Sequence, residues 1–230
     1  MHNIENSKNT LTALMERVAS DAAKKADFLT PTTDVQKITH SDTNNPALVI
    51  EAKGGEPTRI LDINKVAFGQ IATHCEIDTR TARRLQENYP VEFDTLINAH
   101  FEKEPKRKMI RTHLDVTEST GTARAFLSDR FKTFDNDDMI QTILPPLMEN
   151  PAQFQVAQAN LSESRLYMRF KSLNQTGAGA NLNDIMANGV GFSNSETGMG
   201  SVSVYAIMWT LACLNGMQTE NKPRSSHITS

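Results

Sequence analysis

The chain has 230 residues, and its 24 lysines and arginines face 27 aspartates and glutamates, a formal charge of −3. That balance excludes a global basic footprint, so any anion-binding surface must be local. Apolar residues make up 38%, enough for one large domain or two small ones with a wet surface. Cys75 and Cys213 lie far apart inside apolar patterns and read as buried thiols of a reducing compartment. Metal-ligand spacing is absent, and neither metal nor cofactor is expected. The polar start MHNIENSK does not read as a signal peptide, and the run 202–214 is too short and serine-bearing to span a bilayer.

Leu11, Leu14, Met15 and Val18 recur at helical spacing, which predicts a semi-detached amphipathic helix over 1–27, able to pack on a partner. Residues 28–45 are rich in Thr, Asp and Asn and read as loop. Strands at 47–53 and 58–63 pair across GGEP. A helical insert occupies about 62–104: a helix capped by Asp62 or Asn64, a second from Asp78, a third from Pro90. Two strands follow around a turn near 119–121. DNDD (135–138) caps a helix interrupted by Pro145-Pro146. Strands FQVAQANLS and RLYMRFKSL come next, then a Gly/Asn-rich segment, 174–183, that reads as mobile. The apolar run ending in CLNGM predicts a long buried helix near the C-terminus, opened by Ser193, Asn194, Ser195 and Glu196 and closed by Asn215-Gly216. A polar tail spans 218–230. Interleaved elements without a repeated βαβ unit argue for an α+β fold, an antiparallel sheet packed against helices, in a single domain over 28–217.

Three stretches carry charge in a pattern. Residues 68–88 have the spacing of a helix-turn-helix, with Ala72 in the first helix, Ile77 at the turn and Arg80, Arg83 and Arg84 on the second. An ordinary helical hairpin with a solvated face has the same spacing. The run 103–111 holds five bases and one acid, among them Lys106, Arg107 and Lys108. In ARAFLSDRFK, alternation places Arg124, Phe126, Ser128 and Arg130 on one strand face, continued by Lys132. RLYMRFKS repeats the theme with Arg165, Tyr167, Arg169 and Lys171. If the two strands share a sheet, they form a basic platform with aromatic inserts, a surface that suits single-stranded nucleic acid. A solvated sheet face is the competing reading.

Signals for catalysis are weaker. DNDD is explained by capping and helix-dipole compensation. His74, His100 and His113 lack ligand spacing, and GAGA lacks the lysine of a phosphate-binding loop. Glu196 can cap a following helix or pair with an arginine.

The motifs RAFLSDRFKTFDN (124–136), GFSNSETGMGSVSV (191–204) and CLNGM (213–217) resemble the DUF932 family of phage- and plasmid-borne proteins, whose function is uncharacterised. Phe131 stands where that family commonly has tyrosine. The likeness spans roughly 45–217. Members continue toward a histidine-glycine and further helices, so this chain reads as a C-terminally short member. The resemblance implies mobile-element biology in the cytoplasm of a bacterial host, and Arg124, Arg130 and the Ser193–Glu196 group are its motif positions. The leading expectation is a protein that binds single-stranded nucleic acid without covalent chemistry, in annealing, recombination or protection of mobile DNA, with a second copy of itself as a further candidate partner. The alternatives are a module that blocks a host protein complex, and a metal-dependent nuclease using Asp129 or Asp135 with Glu196.

Overall fold

The computed structural model describes residues 2–51, 57–149, 153–178, 185–211, 218–221 and 225–227, with side chains omitted for 2–10, 174–178, 185–186 and 210 onward. The chain opens with helix α1 (His2–Lys24) and divides into two compact units, an inner one, Asp21–Phe131, and a terminal one built from Met1–Ser20 and Lys132–Ser230. The stretch 28–217, read from the sequence as one domain, runs through both units. Each unit packs helices against a largely antiparallel sheet, an α+β fold. Among the described residues no helix is long and apolar enough to cross a membrane.

The inner unit holds strands β1 (Lys25–Pro31), β2 (Val35–Thr39), β3 (Pro46–Ile50) and β4 (Arg59–Ile63), helices α2 (Lys65–His74), α3 (Thr79–Asn88) and α4 (Pro90–Lys103), then β5 (Arg107–Leu114) and β6 (Thr120–Ser128). The strand order is β1-β5-β6-β4-β3-β2, with β4 and β6 parallel. Within 28–45, expected as loop, residues 28–31 and 35–39 are instead strand, and 40–45 form the turn before β3. The threonines and polar residues of 28–31 and 35–39 sit on the two edge strands, which need less apolar content than a central strand. The helical insert forms as expected, each helix started by a local signal: Asn64 accepts from the N–H groups of Val66 and Ala67, Asp78 from those of Arg80 and Thr81, and Pro90 opens α4. Leu48, Leu61, Ile71, Ile97, Phe93, Phe101, Ile110 and Phe126 form the core between sheet and helices.

One polar network crosses this core. Lys37 on β2 is 1% exposed. Its ammonium donates to Gln86 of α3 at 2.7 Å, pairs with Asp94 of α4 and sits 4.7 Å from the centre of the Phe93 ring. Thr39 joins Asp94 and Gln86. Asn98 clasps the Lys37 backbone, accepting from its N–H at 2.7 Å and donating to its carbonyl at 2.8 Å. The free edge of β2 is thereby closed against pairing with another strand. Burial lowers the lysine's proton affinity, while Asp94 restores part of it.

The terminal unit contains α5 (Asn136–Met148), β7 (Phe154–Leu161), β8 (Leu166–Ala178), β9 (Ile185–Asn194), β10 (Ser203–Leu211), β11 (Gln218–Asn221) and β12 (Ser225–His227). The sheet runs β11-β10-β9-β8-β7, with β12 also on β10. The long helix expected near the C-terminus is corrected by β10. An apolar run of this length fits either structure by periodicity alone, and here nine residues pair with β9. Residues 212–217 of that expectation, Asn215 included, lie outside the described residues. Parts of the polar tail add β11 and β12. The first helix is not semi-detached: Leu11, Leu14 and Val18 are buried with Met139, Ile140 and Leu144 of α5 and Leu166, Met168 and Phe170 of β8. Pro145 and Pro146 do not interrupt α5. Gln141 and Thr142, whose carbonyls lose their donors, are exposed, where solvent can take the place of the lost N–H groups.

Removing one partner of a buried ion pair leaves an uncompensated charge. Asp94→Ala is expected to lower stability by about 3–5 kcal/mol in urea denaturation, and adding Lys37→Met to recover most of the loss. A single variant no less stable than the parent would show that the network carries no such role.

Candidate functional site

The Ser193–Glu196 group closes β9. Ser193, Asn194, Ser195, Glu196 and Thr197 are each 1–5% exposed. Asn194 Nδ2 donates to the Phe134 carbonyl at 2.8 Å and to Asn136 Oδ1 at 3.0 Å. Glu196 Oε1 accepts the Asn136 N–H at 2.8 Å. Glu196 therefore caps α5, not a helix following it in sequence. Ser195 donates to the Ser164 carbonyl at 2.6 Å and accepts from the Met199 N–H at 2.9 Å, tying the loop after β9 to the start of β8. The helix start carries a capping box between Asp135 and Asp138, as DNDD predicts. One ligand atom from each of Asp135, Asp137 and Glu196 lies within 4.8 Å of the others, a convergence that would accommodate a divalent cation. Carboxylates gathered at a helix N-terminus also answer its partial positive charge.

Strand β8 sorts its side chains cleanly. Leu166, Met168 and Phe170 are at most 2% exposed in the core, while Arg165, Tyr167, Arg169 and Lys171 lie half-buried on the opposite face. The neighbours on that face are Gln158 and Asn160 of β7, Gly189, Gly191 and Ser193 of β9, and Tyr205, Ile207 and Trp209 of β10. The two glycines are required there: a methyl group on Gly191 would overlap the Tyr205 ring, and one on Gly189 the Trp209 ring. Tyr205 is half-buried over this glycine lane, while Trp209, 7% exposed, is buried with Ile207 and Ala187 in a small apolar cluster. Arg165 donates to the Met199 carbonyl at 2.8 Å and to the Tyr167 hydroxyl at 3.2 Å, with its guanidinium 5.6 Å from the Tyr167 ring centre. The column of basic and aromatic side chains on β8 matches its sequence alternation. The partners Tyr205 and Trp209 escaped sequence reading because 203–211 reads as helix. The spacing of Gly189 and Gly191 two apart, with aromatics four apart on β10, was the signal.

The other half of the expected platform does not form. Strands β6 and β8 belong to different sheets. The register of β6 also slips opposite Arg111 and Thr112, inserting Arg124 as an extra residue. The slip turns both Ala123 and Phe126 into the core, at 0% and 3% exposure, so Phe126 is no exposed aromatic insert. Arg124 is half-buried at the bulge; Arg130 and Lys132 are exposed beyond the strand's end. In the basic run, Lys106 pairs with Glu104 at 3.6 Å and Arg107 is exposed. Lys108 lies 5.3 Å from the Phe126 ring centre, its proton affinity lowered by burial and then by Lys106. Beside it, the His74 and His100 rings meet edge to face at 5.3 Å, and His74 also packs on Phe101 and Phe126. Burial, then Lys108, His100 and Lys106, push the His74 pKa down to about 4, and burial pushes the Cys75 thiol up to about 11. That thiol is no nucleophile near neutral pH.

No protein-family model, curated protein or solved structure matches the chain. The site is therefore read from its own chemistry.

Two expectations follow from this geometry. Glu196→Ala strips a buried N–H of its acceptor and should cost about 1–3 kcal/mol in thermal or chemical unfolding, a loss that unchanged stability would refute. His74 is held neutral in the fold, with a pKa of about 4 against an ordinary 6.5. The unfolded chain thus binds the extra proton first. The contribution of His74 is complete above about pH 6.5 and is lost as pH falls toward 4. Between pH 7 and 4.5 the His74→Gln variant should lose less stability than the parent; an equal loss would show that His74 does not titrate this way.

Proposed function

We propose that the protein binds single-stranded nucleic acid on the face of its terminal sheet that carries Arg165, Tyr167, Arg169 and Lys171. The observation that carries this reading is the conjunction of that column, with its half-buried Tyr167, with the glycine lane of β9 and the half-buried Tyr205 of β10. Arginine and lysine neutralise phosphates, and aromatic rings accept bases of any sequence on their faces. Arg165 is already oriented by the Met199 carbonyl and the Tyr167 hydroxyl, which lowers the entropy lost on gripping a phosphate. The chemistry is non-covalent. It suits annealing, recombination or protection of mobile DNA in a bacterial cell, the setting that the resemblance to the DUF932 family suggests, and annealing would call for assembly of several copies along a strand.

The blocking-module alternative loses its main support, since the apolar stripe of α1 is spent in the core. A second reading, a nuclease dependent on a divalent cation, is favoured by the convergence of Asp135, Asp137 and Glu196. It ranks below the first because Glu196 already accepts from the α5 backbone. Cleavage of DNA only on addition of magnesium or manganese would raise it.

The deciding experiment is a fluorescence-anisotropy titration of labelled single-stranded DNA at two salt concentrations. Tyr167→Ala is expected to weaken binding about 5- to 150-fold, the range for one lost base stack. Arg165→Ala with Lys171→Ala should reduce the log–log salt slope by about 0.7 for each phosphate contact removed. Absence of binding at low salt, or affinities indifferent to all three changes, would overturn the assignment.

A further inference from the structure

The arginines on α3 remain unused by that reading, and they sit in the inner unit on a backbone of distinctive form. Helices α2 and α3 are joined by the four residues 75–78. Glu76 adopts the left-handed conformation, with φ of 59°. Ile77 donates back to the Ala72 carbonyl at 2.9 Å and packs its side chain on the core. Asp78 then caps α3. The helices approach closely where Gly69 faces Thr79. Ala72 and Ala82 are at most 1% exposed between them, and α4 completes the trio through Phe93 against Phe68 at 6.1 Å. Two helices joined through a tight turn and backed by a third form the arrangement that presents the second helix to a DNA groove.

What α3 presents is consistent with that role. Its inner side is pinned by Ala82 and by Gln86, which bonds Lys37 and Thr39. Its outer side shows Arg80, Thr81, Arg83, Arg84, Glu87 and Asn88, all exposed. Among the described residues no carboxylate forms an ion pair with Arg83 or Arg84. Arg80 and Arg84 stand four apart, a like-charge spacing that disfavours an isolated helix and that a polyanion would relieve. A cleft of about 210 Å³ beside the start of α2 is lined by Lys65 of the first helix and by Arg83 and Glu87 of the second, so a cation of each helix borders it. A ten-residue helix is about 15 Å long, and a helix of about 10–12 Å diameter fits the roughly 12 Å major groove.

We propose that α2, its turn and α3 are a helix-turn-helix that docks on double-stranded DNA, with α3 in the major groove. Arg80, Arg83 and Arg84 contact base edges and phosphates, and Lys65 contacts the flanking backbone. This assignment stands apart from single-strand binding: it uses another unit, other residues and another ligand.

The test titrates the full chain against a labelled mixed-sequence duplex and against one of its strands, at low and high salt. Arg83→Ala with Arg84→Ala should weaken duplex binding about tenfold or more and reduce the salt slope by about 1.8, while leaving single-strand affinity unchanged. Arg165→Ala with Lys171→Ala should leave duplex affinity unchanged. Both arginines are exposed, and an unaltered melting temperature confirms the fold. A parent protein that does not bind duplex at low salt, or a double variant that binds it as tightly, overturns the proposal. Loss of single-strand binding alone overturns only the preceding assignment.

Discussion

Strand β9 ends in the protein interior, where every polar group must find a partner, and that requirement organises the terminal unit. Five consecutive residues, Ser193 to Thr197, are almost wholly buried, although four carry hydroxyls or an amide and the fifth a carboxylate. Burying them unpaired would cost far more than the strand's pairing returns. The solution is to bond them to backbone: Asn194 and Glu196 to the start of α5, Ser195 to the ends of the loops on either side. The free N–H groups of a helix terminus and the acceptors of a strand terminus thus satisfy each other. With β9 held in this way, its glycines lie under the rings of β10 and beside the cations of β8.

The basic column on β8 is in turn a consequence of the core. Side chains alternate along a strand, so the burial of Leu166, Met168 and Phe170 against α1 and α5 leaves Arg165, Tyr167, Arg169 and Lys171 only the other face. The inner unit uses the same logic with helical periodicity. Ala82 and Gln86 bind α3 to its neighbours and to Lys37, and the arginines between them point outward. In each unit a packed interior aims a row of cations, which is how a chain of net charge −3 can offer local basic surfaces.

Legibility in the sequence followed the range of the forces involved. The three helices of the insert were readable because Asn64, Asp78 and Pro90 act within a few residues of themselves. The capping of α5 by its own acidic start was readable for the same reason, and so was the alternation on β8. Strands β1 and β2 were not, since their pairing with β5 and β3 supplies what their own composition lacks. Nor was the bulge at Arg124, which depends on the register with β5 and reverses the face of Phe126. The tyrosine and tryptophan of β10 were lost to the ambiguity of an apolar run whose strand character comes from β9 alongside it.

By itself, then, the sequence determined the local starts and stops of the helices, the two-fold alternation of β8 and the class of fold, because these rest on contacts between near neighbours. Tertiary structure alone decided that the chain makes two units, that Arg124 and Arg165 lie on separate sheets, and that Glu196 serves a helix sixty residues earlier. Those outcomes turn on which strands pair and in what register. Pairing energy depends on partners distant along the chain, and a shift of a single residue exchanges the buried face for the exposed one.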